Sequence, residues 1–296
     1  MKSLLTALII YNPNAMKGKI EDYLPHIKQR LSLRYSQVDS ISSASAAMSQ
    51  ELAEKQSSKY DVIISCGGDG TLHNVINGVM RSEANPIVGI LPFGTCNDVA
   101  RSLNIPLDLE KAIDCLLRLD VTKYDCLTDK SKFITYSIAT GYLTKATYST
   151  SGKAKRKLGR FAYVISAIKN LFNFNAIPMT VTFDKERIHG KFVFMMLLNG
   201  NYAGGMRLNK NDNYSDGKVK LVLIKKTRGL GAFFTFVKLF MFGLKSIKKS
   251  KCAVVEDVSS VEIENHSNSP FVVDGEKEKF LKKRLTVKTG LTFIKR

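Results

Sequence analysis

The chain is expected to fold as an α/β domain with a parallel sheet, followed by a β-rich sandwich domain. Three observations carry that expectation. In the first part, short runs rich in β-branched residues alternate with stretches of helical apolar spacing, the pattern of strands covered by helices. In the later part, apolar runs succeed one another across Gly, Asn and Asp turns, with little helix between them. Between the third early strand and its helix stands Gly67-Gly68-Asp69-Gly70-Thr71, a run of small and polar residues suited to a sharp strand-to-helix turn.

Taken in order, residues 4–11 read as the first strand, which Asn12-Pro13 ends with a turn. A helix over 20–33, a strand over 34–38 and a helix over 44–55 follow. Residues 61–66 read as a buried strand, 72–80 as a helix and 87–91 as the next strand. The pattern changes near 121–123, so domains of 1–122 and 123–296 are expected. Strands are predicted at 133–139, 179–183, 192–199, 219–224, 261–264, 271–273, 285–288 and 291–294, with helices near 161–171 and 231–244. The last strand is free to return to the first domain.

A length of 296 residues allows two domains with substantial cores, and 44% hydrophobic residues fit a globular chain. Residues 1–11 lack a convincing signal-peptide cleavage region, and no apolar run secures a membrane span. Five scattered cysteines form neither a disulfide framework nor a zinc pattern, so a cytoplasmic location is expected. The net charge of +19 calls for an anionic partner. It is concentrated late: residues 145–169 hold seven Lys or Arg and no Asp or Glu, and residues 218–251 hold ten and none. No zinc-finger, RNA-recognition or helix-turn-helix signature accompanies this charge, so an anionic membrane surface is expected rather than nucleic acid.

The chemistry is read from four loops. Gly67 to Thr71 lets an anionic group approach backbone N–H groups at a helix start, which points to phosphate. Neither a dinucleotide Gly-x-Gly-x-x-Gly signature in its proper context nor a P-loop is present. Asp69 beside phosphate calls for a cation between them, hence nucleotide plus a divalent ion. Gly94-Thr95-Cys96-Asn97-Asp98 closes the next strand: Thr95 is suited to donate to phosphate, while Asn97 and Asp98 serve a polar network or a helix cap. Asn12-Pro13 ends a further strand and is either a third lip of the pocket, with the Asn12 amide on nucleotide, or a routine turn; Lys17 is a candidate anion contact. Late in the chain, Asp274-Gly275-Glu276 offers two carboxylates for proton transfer, or simply the turn of a hairpin. Asn213 to Lys218 is another oxygen-rich turn, in which Asp216 and nearby carbonyls suit a hard cation or a plain turn.

Residues 62–76, Leu91 to Arg101, Asn213 to Lys218 and Val273 to Glu276 together resemble the bacterial soluble diacylglycerol kinase and related lipid kinase family. The likeness spreads over nearly the whole chain. It implies a NAD kinase/diacylglycerol kinase-like architecture and ATP-dependent transfer of the γ-phosphate to a lipid hydroxyl, with diacylglycerol the leading acceptor. ATP would meet Asn12, Pro13, Asn14, Ala15 and Met16, then Gly67, Gly68, Asp69, Gly70, Thr71, Leu72, His73 and Asn74, and Thr95, with a weaker carry-over to Ser40. Asp69 would help organise phosphate and Mg2+, while Asp274 and Glu276 would form the base-bearing region. Asp216 with the carbonyls of Asn213 and Lys218 would hold a structural Mg2+.

Two departures stand out. The first loop lacks the family's Ser-Gly after Asn-Pro-x, and His73-Asn74 stands where the family often has Asn-Glu. These departures motivate the alternative of a catalytically impaired nucleotide- and lipid-sensing membrane protein; NAD kinase, which Gly67 to Thr71 alone also resembles, is the other alternative, and a homodimer is a further expectation. Residues 231–244 form an aromatic helix ending in lysines, read as a membrane contact with transient peripheral association or as a helix buried against the sandwich.

Overall fold

The computed structural model describes residues 5–141, 176–210 and 213–296. The basic stripe Lys153, Lys155, Arg156, Lys157 and Arg160 and the helix expected at 161–171 lie outside the described residues. The chain divides into two compact units. The first comprises Met1–Cys126, Lys130–Thr135 and Lys288–Arg296; the second comprises Leu127–Asp129 and Tyr136–Val287. The first unit thus extends past residue 122 and includes the C-terminal residues.

In the first unit, β1 (Thr6–Tyr11), β2 (Gln37–Ser42), β3 (Val62–Gly67) and β4 (Ile87–Pro92) lie in the parallel order β2-β1-β3-β4. All six residues of β3 are buried, as a central strand covered on both faces requires. The cover comes from α1 (Ile20–Leu31), which packs with α5 (Leu109–Arg118), and from α2 (Ala46–Gln56), which packs along α3 (Asp69–Arg81). A Cβ on Gly78 of α3 would lie 2.2 Å from the Gln50 carbonyl oxygen of α2, so only glycine permits this approach. The short helix α4 (Asp98–Ser102) follows β4. β5 (Val121–Thr128) and β6 (Phe133–Ile134) complete this part of the chain.

The second unit is antiparallel. Its strands are β7 (Ser137–Gly141), β8 (Ile177–Phe183), β9 (Glu186–Leu198), β10 (Tyr202–Ala203), β11 (Met206–Arg207), β12 (Val219–Lys225), β13 (Ala253–Val258), β14 (Ser260–Asn265), β15 (Phe271–Val273) and β16 (Glu276–Glu278). Strand β9 organises them: its first half pairs with β8, its second half pairs with β7, and β12 lies along its other edge. The helix α6 (Gly231–Phe242) covers this region, with Phe194 of β9 in edge contact with Phe236 and Phe240 at ring distances of 5.5 and 5.8 Å. The final strand, β17 (Lys282–Ile294), pairs at its start with β14 in the second unit; its end pairs in parallel with β4 through Thr292 and Phe293 in the first.

Several boundaries differ from the sequence reading. β2 begins at Gln37 rather than 34, the expected strand 133–139 is divided into β6 and β7, and the two expected C-terminal strands are one. Asp69, Gly70 and Thr71 already belong to α3, so the connection from β3 narrows to Gly68.

Candidate active site

The parallel register brings three strand ends to one edge of the first unit. Tyr11 lies beside Cys66 and Gly67 beside Pro92, so the chain leaves β1, β3 and β4 at adjacent points. Backbone bonds extend this order past the strands: Asn12 donates to the Cys66 carbonyl at 3.1 Å, and Phe93 donates to that of Gly67 at 2.8 Å. The carboxyl edge of a parallel sheet is where ligands of α/β folds bind.

Here Gly68 and Gly94 approach each other directly, and a Cβ on Gly68 would lie 3.1 Å from the Gly94 Cα. Asn97 holds the second loop in shape. Its side-chain carbonyl accepts the Gly94 N–H at 2.9 Å and its amide donates to the Gly94 carbonyl at 2.9 Å, while its own backbone is left-handed at φ 52°. Asp69 ties the loops together, its two carboxylate oxygens accepting the N–H groups of Asn97 and Asp98, each at 2.7 Å. The carboxylate expected to organise phosphate and metal therefore caps α4 from the first turn of α3.

What remains open at the edge suits phosphate. The first N–H groups of α3 have no acceptor within the helix, and the positive end of its dipole lies here. Gly70 is exposed, with open space where a side chain would be, and Thr95 is exposed at the tip of its loop. Thr71 and Leu72 are buried, whereas His73 and Asn74 on the next turn are half-buried. In the first loop, the Asn12 side chain accepts the Asn14 N–H at 2.9 Å in an Asx turn, with Pro13 between them. Ala15 is buried; Met16 and Lys17 hold positive φ of 52° and 60°, a conformation unfavourable to side-chain-bearing residues. Ser40 sits inside β2 opposite Ile9, two positions before the strand ends. Cys66 is buried in β3, and loss of hydration there pushes its thiol well above the usual range, so it is not a nucleophile.

In the second unit, β15 and β16 form a hairpin closed by two residues, Asp274 and Gly275, both at positive φ (46° and 89°). The hairpin reading of Asp274-Gly275 is thus correct for the backbone, yet Asp274 is buried. Its Oδ1 accepts the N–H groups of Tyr136 and Ser137 at 3.0 and 2.9 Å, and its own N–H donates to the Ser137 carbonyl. Glu276, first residue of β16, is exposed. The two carboxylates expected to act together occupy opposite environments, one committed to backbone donors and one open to solvent.

Comparison with known proteins decides what this arrangement belongs to. Residues 6–128 match the diacylglycerol kinase catalytic domain, and residues 136–292 match the YegS C-terminal NAD kinase beta sandwich-like domain. A diacylglycerol kinase of Staphylococcus saprophyticus is 32% identical over 222 residues, 74% of this chain and 73% of the relative. One of Staphylococcus haemolyticus is 30% identical over 274 residues, 91% of this chain and 82% of the relative. The chain belongs to the diacylglycerol kinase family. It is an ATP-dependent lipid phosphotransferase. A solved structure from Bacillus anthracis str. Sterne shares its fold at a TM-score of 0.85 and 24% identity, covering 100% of this chain and 97% of that one. A diacylglycerol kinase structure from the same organism gives 0.79 and 21%, covering 100% and 98%.

The kinase's oxygen-rich turn, Asn213 to Lys218, is held by its own side chains. Asp216 accepts the Lys218 N–H at 3.0 Å through Oδ1, and Asn213 accepts the Ser215 N–H at 3.3 Å. One carboxylate with the main-chain carbonyls of Asn213 and Lys218 is an all-oxygen donor set, chemically suited to Mg2+. Among the described residues there is no group of three or more His, Cys, Asp or Glu side chains able to hold a metal, and no helix is long and apolar enough to cross a membrane.

Sequence reasoning missed Asn77. Buried in α3, it donates to the Phe133 carbonyl and accepts the Phe133 N–H at 2.9 and 2.8 Å, fastening the site helix to β6. An asparagine on the apolar side of a helix was the only available signal.

Proposed function

We propose that this kinase transfers the γ-phosphoryl group of ATP to the hydroxyl of diacylglycerol, giving phosphatidic acid, at the surface of an anionic bilayer to which it attaches peripherally. The observation that carries the reading is the convergence of three parallel strand ends on the Gly68–Gly94 contact, in a chain about a third identical to proteins named diacylglycerol kinases. The N–H groups at the start of α3 and the Thr95 hydroxyl receive the nucleotide phosphates. Asp69 keeps the two glycine loops at fixed spacing.

Glu276, the exposed member of the pair, takes the proton of the acceptor hydroxyl as its oxygen forms a bond to the γ-phosphorus and the bond to the ADP oxygen breaks. Asp274 positions the hairpin that carries Glu276, through the amides of Tyr136 and Ser137. Bound Mg2+ would supply charge neutralisation on the phosphates, and Asp216 with the carbonyls of Asn213 and Lys218 would hold a structural ion. Preorganised donors and fixed orientation do most of the work in such transfers, which is why the loops are so tightly tied.

The deciding experiment offers labelled ATP with a panel of diacylglycerol, sphingosine-like lipid, polyprenol and NAD. Labelled phosphatidic acid is the expected product. Label in NAD alone would make this a NAD kinase, and ATP or lipid binding without transfer would make it a sensor.

A further inference from the structure

The helix α6 is apolar on both sides, and the sandwich covers only one. Ala232, Thr235, Phe236, Leu239 and Phe240 are buried against β9 and β12. The opposite arc carries Phe234 at 56% exposure and Phe242 at 70%, with Leu230 at 50% just before the helix. These positions recur every four residues and so lie along one side of the helix, with exposed Lys238 completing the spacing. A helix with two apolar sides is normally enclosed on both, by protein or by lipid.

The surroundings select lipid. Lys245, Lys248, Lys249 and Lys251 follow the helix; all are exposed and, with Lys238, enter no ion pair among the described residues. Ten basic residues and no acidic one lie between 218 and 251. A partner protein would have to supply an acidic, apolar surface of the same shape, whereas an anionic bilayer presents both properties everywhere. Lysines at such a boundary extend their stems along apolar surface and place their charges among phosphates.

We infer that the outward side of α6, with Phe234 and Phe242 inserted and Lys238 to Lys251 around them, is the docking face for an anionic membrane. The inference rests on the lipid-kinase reading only for the reason such docking is useful; the face itself is defined by exposure and charge.

The test is flotation of the full chain with phosphatidylcholine vesicles with and without phosphatidylglycerol. Binding is expected only with phosphatidylglycerol and is expected to weaken with salt. The Phe234→Ser/Phe242→Ser variant should lose about tenfold or more in vesicle affinity. The Lys245→Gln/Lys248→Gln/Lys249→Gln variant should lose about fivefold for each charge removed. Because these side chains are exposed, thermal stability and phosphorylation of detergent-dispersed diacylglycerol should be retained. Vesicle binding unchanged in both variants overturns the proposal. So does a Phe234→Ser/Phe242→Ser variant that turns a dimer into a monomer at unchanged vesicle affinity, since a second copy would then be the occupant. Failure of the wild-type chain to phosphorylate lipid in detergent would reject the kinase reading and leave the flotation result to decide the docking face.

Discussion

Gly94 and Gly68 meet backbone to backbone: a methyl group on Gly94 would lie 2.5 Å from the Cα of Gly68. Neither backbone segment can give way without moving a loop at the carboxyl edge of the parallel sheet. Gly94→Ala is expected to cost about 1–3 kcal/mol, as overpacking does, and to raise the KM for ATP at least about tenfold. Gly70→Ala is the informative contrast, because nothing lies within 4 Å of its added methyl and the residue is helical. It should stabilise the fold by up to about 1 kcal/mol while weakening ATP binding. Two variants with wild-type KM would remove ATP from this edge.

Asp69→Asn tests whether that carboxylate shapes the site or only serves a metal. Both of its oxygens accept backbone N–H groups. In asparagine one of those donors would face an NH2 group, so a loss of about 1–3 kcal/mol is expected, together with a higher KM for ATP. Unchanged Tm with a shifted Mg2+ requirement would instead make Asp69 purely a metal group.

The sequence was most legible where burial alone determines structure. β3 is a run of apolar and β-branched residues, and its limits were found to within a residue or so. β2 begins three residues later than the sequence predicts because it is a half-exposed edge strand, Gln-Val-Asp-Ser-Ile-Ser, with no apolar run to mark it. The sequence marks the start of α3 as loop because two glycines and an aspartate are poor helix formers; partners in neighbouring loops overrule that preference. The helix α5, absent from the sequence reading, carries a readable cap in Asp108, which accepts the Lys111 N–H, and an apolar face of Ala112, Ile113 and Leu116. At the site, the three strand ends were legible because parallel βα units place them together. The Gly68–Gly94 approach, the Asn77 bonds to Phe133 and the different surroundings of Asp274 and Glu276 were not, since each depends on a partner distant in sequence.

On the proposed mechanism, those different surroundings assign positioning to Asp274 and proton transfer to Glu276. Glu276→Gln should lower kcat by about a hundredfold or more with Tm unchanged, because its side chain is exposed. Asp274→Asn keeps an oxygen that can accept from Tyr136 and Ser137 and tolerates the positive φ, so it should fold. Asp274→Ala loses that acceptor and should cost about 1–3 kcal/mol. Full turnover by Glu276→Gln would assign the base elsewhere, with Asp274 the next residue to test.

Alkaline stability should report the packing of Tyr35, which lies far from these loops in sequence. Its hydroxyl donates to the Leu116 carbonyl at 2.8 Å, and burial pushes its pKa up to about 12, with the nearby Arg34 charge acting weakly the other way. An unfolded tyrosine ionises near pH 10, whereas the folded one keeps its proton for about two more units. The contribution is therefore complete below about pH 10 and falls as pH rises to about 12, by as much as about 2–3 kcal/mol. Other groups titrate in the same range, so the quantity to measure is the difference in unfolding free energy between wild type and Tyr35→Phe. That difference should shrink, then reverse in sign, as pH rises from 10 to 12. A constant difference across the window would mean that Tyr35 ionises as readily in the folded chain as in the unfolded one, and that the α5 edge admits water around its hydroxyl.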